Sequence, residues 1–348
     1  MTFEITPHPD FSWSISRQRV LDRCPRQYFC SYYLSHNGWM EEASAEAQTA
    51  YRLKQLCTLD TELGHQIDVR ARELEECARA GRPLPFAGEL EARTRASLNA
   101  CWLSSKRERE DFEWSPRRVT MLRCLYLGQD SSAEVERVEE KLYAAHEALL
   151  AVSHWDRLRE CGEEGRIEIP GFASFMLHDF SIGEAPVSDP IDDTPSAIVT
   201  LDELKVFAAP DLAYVHGGAA HIIDWKTGRE DESQELQVKL QAWWLLETYP
   251  QLAGLELRGY LEYLTLREAI DEAEPAGAPV SSPAGFTHRV PLNGDFKAEA
   301  AQAVRDGVAQ MRRLLADPDK NIPLQIEAFE RRECPLCRGC NFSPLCVA

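Results

Sequence analysis

The sequence predicts an α/β fold: a mixed central sheet flanked by helices, with a helical lobe inserted ahead of the sheet. Three observations carry this. Residues 41–160 are dominated by Ala, Glu, Arg and Leu at helical spacing and are poor in strand signals. Near residue 165 the texture changes to short runs rich in β-branched and aromatic residues, such as RIEIPGF, AIVTL and HIIDWKT. Residues 233–249 and 295–316 then return to helical periodicity, so strands alternate with the helices that would cover them.

Taken in order, residues 1–40 are aromatic and basic, and Ser14 or Ser16 is placed to cap a short helix running towards Cys24. The helical stretch is broken at GRPLPFAG (81–88), at Ser115-Pro116 and from Gly128 to Ser132. In ELKVFAAPDLAYVHGGAAHIIDWKT, two strand-like runs flank His216-Gly217-Gly218, which punctuates a hairpin. LELRGYLEYLTL (255–266) and FTHRVPL (286–292) read as further strands, with AIDEAEPAGAPVSSPAG between them as a solvated loop. No internal repeat is present. The expectation is one domain over residues 1–348, with 41–160 as a lobe within it and a cysteine-rich segment, 334–346, closing it.

A chain of 348 residues can bury a substantial core, and 44% hydrophobic residues is ordinary for a globular protein. No apolar run reaches the length of about 18 residues that a membrane span needs. The start, MTFEITPHPDFSWS, lacks the charged and apolar regions of a secretory signal, so the cytoplasm is expected. The net charge of −19 counts against a broadly basic nucleic-acid surface. The local distribution matters more: Arg17, Arg19, Arg23 and Arg26 crowd one end, and Arg331, Arg332 and Arg338 the other. If the ends meet, they make a basic patch on an acidic body. Eleven cysteines, an odd number, do not read as a disulfide framework. Four fall in the last fifteen residues, and Cys24 and Cys30 lie near the start, a clustering that points to metal ligation. Cys57, Cys77, Cys101, Cys124 and Cys161 are scattered and expected to be small buried hydrophobes.

Asp211 lies on the first strand of the hairpin, and Asp224 and Lys226 on the second. Side chains alternate along a strand, so Asp224 and Lys226 share a face while Ile223 and Trp225 take the other. The hairpin brings Asp211 beside Asp224. Two carboxylates and a substrate phosphate suit Mg2+ or Mn2+, which lowers the pKa of bound water. A neighbouring lysine can orient or deprotonate that water, and the backbone carbonyl of Trp225 is a further candidate ligand. An Asp-x-Lys on a strand is by itself often a solvated pair, but the apolar run before Asp224 argues for a central strand. In QELQVKLQAWWLLETYP, Gln237 and Gln241 lie one turn apart on one helix face, beside an apolar stripe of Leu236, Leu240 and Trp243.

Pro210-Asp211, Asp224-Trp225-Lys226-Thr227-Gly228 and Gln237 together resemble the motifs of RecB-like PD-(D/E)XK nucleases. The resemblance implies a restriction-endonuclease-like sheet and metal-dependent DNA cleavage. Asp211 and Asp224 would hold the metal, Lys226 would assist the water, and Gln237 would position DNA. Gln241 stands where that family usually has tyrosine. In Leu63-Gly64-His65-Gln66-Ile67-Asp68, Asp68 stands where the family has a metal-binding histidine. Asp68 is therefore the first candidate for the third ligand and His65 the second. Cys337, Cys340 and Cys346, joined by Cys24 within a Cys-Pro-Arg element after Ser-x-Ser, resemble the 4Fe-4S ligands of iron–sulfur RecB-like nucleases. These include AddB-type helicase-nuclease subunits and CRISPR-associated exonucleases. The rival is a Zn2+ site built from Cys334, Cys337, Cys340 and Cys346. The implied activity is exonuclease action on single-stranded or free-ended DNA in repair or defence. The alternatives are a non-catalytic DNA-binding module and a subunit acting with a helicase, since the sequence has no GxxxxGK[ST] phosphate loop.

Overall fold

The computed structural model describes residues 5–169, 197–265, 285–333 and 335–346. The chain enters through a short strand, β1 (Ser12–Ser14), and turns into helices α1 (Ile15–Arg23) and α2 (Pro25–Phe29). Ser14, the first of the two expected caps, accepts a hydrogen bond from the Arg17 amide at 3.1 Å. Pro25 starts α2 in the first turn, where the N–H it lacks would have no partner within the helix.

The helical region comprises α3 (Ala45–Lys54), strand β2 (Leu56–Cys57), α4 (Leu59–Arg79), α5 (Ala87–Arg107) and α6 (Arg109–Trp114). It continues with β3 (Met121–Leu122), α7 (Arg123–Tyr126), α8 (Ser132–Ala151) and α9 (His154–Cys161). The breaks read from the sequence fall between α4 and α5, after α6, and between α7 and α8. Thr58 caps α4 by accepting from the Thr61 amide at 3.1 Å.

Strands β4 (Ile198–Leu201) and β5 (Leu204–Phe207) form a small sheet with β1, which lies parallel to β5 with Trp13 beside Val206. The main sheet has the order β6 (Leu212–His216), β7 (Ala219–Lys226), β8 (Glu256–Tyr263), β9 (Phe286–Val290). The β6–β7 pair is an antiparallel hairpin. Gly217 and Gly218 adopt φ of 58° and 75°, the left-handed values a two-residue hairpin turn demands. Helix α10 (Ser233–Thr248) carries the chain back so that β8 runs parallel to β7, and β9 then returns antiparallel. Helix α11 (Phe296–Arg312) packs on α10.

Alternation along the strands builds two cores. Ala213, Ala220, Ile222 and Leu261 face α10 and α11, meeting Val238, Trp244, Val304 and Met311. Leu212, Tyr214, Ile223 and Trp225 face the other way, against Leu63, Ile67, Leu142 and Trp155 of α4, α8 and α9. Trp155 stacks on Trp225 with ring centroids 5.7 Å apart. The helical region is thus the covering layer of the sheet's second face. Of the described part of the strand expected at RIEIPGF, residues 166–169, Arg166 alone pairs, with Tyr214, and residues 170–196 lie outside the described residues. So do Cys334 and, but for Gly285, the expected loop at 269–285.

Candidate active site

The hairpin register pairs Leu212 with Ile223, which sets Asp211 opposite Asp224. Asp211 accepts a hydrogen bond from the Trp225 amide at 2.9 Å. Asp224 is fully buried and projects towards α10 together with Lys226. Its Oδ1 accepts from Gln237 and from Gln241, each at 2.8 Å. Its Oδ2 pairs with the Lys226 ammonium, which also donates to Gln237 Oε1 at 3.0 Å. Two glutamines one helical turn apart can converge on a single oxygen because i and i+4 side chains lie one above the other. Neutral amides fix the carboxylate without cancelling its charge.

Helix α4 brings the third carboxylate. A Cβ on Gly64 would lie 3.3 Å from Thr227 Oγ1, so the glycine lets α4 come close to the Asp-Trp-Lys-Thr-Gly segment. One turn further on, Asp68 opens into a cavity of about 180 Å³ that Asp211, Trp225, Gln237 and Gln241 also line. His65 is not among the lining residues. Asp224 lies beneath the cavity rather than at its wall. Burial, then the charges of Asp224 and Asp68, push Asp211 well above the usual carboxylate range. Burial, then Asp224, pushes Asp68 up to about 7, against the opposing pull of Arg72 and Lys226. Asp68 and Asp211 thus line one cavity above the buried Asp224, with a single lysine among the three, and their oxygens do not all lie within 4.8 Å of one another. Gln241 Oε1 is buried there without a hydrogen-bond partner among the described residues. The hard-oxygen, over-acidic chemistry of this donor set suits a divalent cation such as Mg2+ or Mn2+, which would draw the carboxylates together.

The superfamily model for PD-(D/E)XK nucleases matches residues 12–347. The chain belongs to that superfamily. No curated protein and no solved structure matches it. Membership in the PD-(D/E)XK superfamily implies nuclease activity in general and the use of divalent metals, and it agrees with the mixed α/β architecture. No helix among the described residues is long and apolar enough to cross a membrane.

The two ends of this nuclease do meet. Cys24, Cys337, Cys340 and Cys346 line one cavity of about 280 Å³, together with Cys30, Arg23, Arg26, Arg331, Arg332 and Arg338. Helix α12 (Ser343–Cys346) forms part of its wall. Burial, then Cys346 and Cys340, pushes the Cys30 thiol up to about 12. The arginines expected to pool here divide into two groups. Arg17 is buried, donates to Tyr28 Oη at 3.3 Å and sits 4.4 Å over the Tyr32 ring, while Arg19 donates to Ser233 Oγ at 2.6 Å. Both serve the fold rather than the patch.

Sequence reasoning passed over Arg72 and Glu75, which line the 180 Å³ cavity. They lie four and seven residues after Asp68, and that helical spacing was the signal available for them. It also took Cys57 and Cys101 for unrelated hydrophobes, whereas their sulfurs and a Glu62 oxygen lie within 4.8 Å of one another.

Proposed function

We propose that the chain is a divalent-metal-dependent deoxyribonuclease acting on single-stranded or free-ended DNA in repair or defence, in the cytoplasm. The observation that supports this best is Asp224: buried, clamped by two glutamines, ion-paired to Lys226 and facing two more carboxylates. Asp211, Asp224 and Asp68, with the Trp225 carbonyl, would hold Mg2+ or Mn2+. Such an ion supplies Lewis acidity at the phosphate and lowers the pKa of its bound water. Lys226 holds the proton-bearing group beside Asp224 and orients the attacking water. Gln237, bonded to both Asp224 and Lys226, keeps the pair in register and turns its remaining surface towards the DNA strand.

In the same reading, Cys24, Cys337, Cys340 and Cys346 hold a 4Fe-4S cluster. The rival is a single tetrahedral zinc held by the cysteines of the closing segment. A cavity of about 280 Å³ suits the larger group. Cys30, held as a thiol, forms the wall. The arginine collar offers charge to DNA phosphates.

The test is cleavage of labelled single- and double-stranded DNA by protein purified without oxygen, with and without Mn2+, beside Lys226→Ala. Metal-dependent cutting that is lost in the variant is expected. DNA binding without cutting by either protein would end the enzyme reading for this chain acting alone.

A further inference from the structure

We propose that Cys57, Glu62 and Cys101 form a second metal site, a zinc site, at the start of α4. It lies outside both the carboxylate cavity and the cysteine cavity at the chain ends.

Three elements converge there. Cys57 ends β2 and immediately precedes Thr58, the cap of α4; Glu62 lies in the first turn of α4; Cys101 comes from the middle of α5. Their ligating atoms all lie within 4.8 Å of one another. Glu62 already has a supporting partner. Gln66 donates to Glu62 Oε1 at 2.9 Å, Ser105 lies one turn beyond Cys101 on α5, and the Cys57 thiol donates to the Met121 carbonyl at 3.5 Å, a bond that ligation as thiolate would replace. Ser105 is itself fixed, accepting from the Leu122 amide at 2.9 Å. Supporting partners of this kind are what orient metal ligands.

The chemistry selects the ion. Two thiolates favour a soft or borderline cation over magnesium, and two sulfurs, one carboxylate oxygen and a water complete a tetrahedral zinc shell. Cys101 is buried and the other two half-buried, so a ligated ion would be shielded yet reachable. A disulfide is the other use for two neighbouring cysteines. It needs the sulfurs about 2.05 Å apart and leaves Glu62 without a role. A zinc here would tie β2, α4 and α5 together within two turns of Asp68. The helix that delivers Asp68 to the carboxylate cavity would then be pinned at its start.

The experiment uses the full chain purified under argon. Zinc per chain and zinc affinity are measured, by competition with a chromophoric chelator, for wild type, Cys57→Ser/Cys101→Ser and Glu62→Gln. Alkylation of each cysteine is mapped by mass spectrometry with and without chelation. Wild type should hold one more zinc than the double variant, and Cys57 and Cys101 should become alkylated only after chelation. Glu62→Gln, half-buried and nearly isosteric, should fold normally and weaken zinc binding at least about tenfold. It keeps the test decisive if the double variant does not fold. Equal zinc in wild type and double variant, unchanged affinity in Glu62→Gln, or a Cys57–Cys101 disulfide in protein prepared under argon would each overturn the proposal. None of these readouts depends on nuclease activity.

Discussion

Two buried polar constellations lie on opposite faces of the main sheet. On the α10 face, Asp224 is held by Gln237, Gln241 and Lys226. On the face covered by α9, Glu262 of β8 is held by His154 and Thr287. Both carboxylates are withdrawn from water, with 0% and 2% of their surface exposed. Glu262 has one partner on each oxygen, at 2.8 and 2.7 Å, and the second ring nitrogen of His154 meets the Tyr214 hydroxyl at 2.7 Å. That network is closed and balanced. Around Asp224 the acids outnumber the cations, and the site opens into a cavity. Burial of a charge therefore does not distinguish a functional site from a structural one; surplus charge with access to a ligand does.

Asp224→Asn should break the comparison hardest. It removes the surplus charge while keeping the shape, so cleavage should fall on the order of 1000-fold. The melting temperature should stay level or rise. Single-turnover cleavage and a thermal melt measure both, and retained activity would undo the assignment. Glu262→Leu should do the reverse. His154 and Thr287 would lose their partner, at a cost of about 3 kcal/mol in urea unfolding. The molecules that remain folded should cleave at the normal rate.

How much of this was legible beforehand depends on the sequence distance between partners. Asp211, Asp224 and Lys226 could be read because a hairpin is local: a period of two fixes the faces, and two glycines fix the turn. Gln237 and Gln241 followed from the helical repeat. His154 and Glu262, 108 residues apart, share no local pattern, and neither do Cys57 and Cys101. Their meeting is set by how α9 and α5 pack. The burial of Arg17 was equally invisible, since an arginine among arginines reads as solvated until an aromatic pocket closes over it.

Two smaller effects sharpen the contrast. His221 lies on the closed face, its ring 4.7 Å from that of Tyr214 and 5.8 Å from that of Tyr260. Burial, then the nearby positive charge of Arg157, lowers its pKa from the ordinary 6.5 to about 4. Between those values the unfolded chain binds the extra proton. Stability from this group is therefore full above pH 6.5 and is lost as the pH falls towards 4. Denaturation at several pH values should show a loss of about 1–3 kcal/mol across that window. His221→Phe, which keeps the stack, should flatten it. The smallest change is Gly64→Ala. A helical alanine gains about 1 kcal/mol over glycine, and crowding against Thr227 takes back a similar amount. Stability should hardly move, while a displaced Asp68 slows cleavage up to about tenfold.

The cavity at the chain ends bears on how the molecule is made. Cys24 is synthesised long before Cys346, so this cavity closes only after the sheet and both its covering layers have been made. Trp13, Leu21 and Tyr28 of the amino-terminal segment belong to the sheet's own core, so that segment can pack before the cysteine-rich tail is made. A group held by cysteines of both segments would therefore be bound by a chain whose sheet and covering layers are already in place.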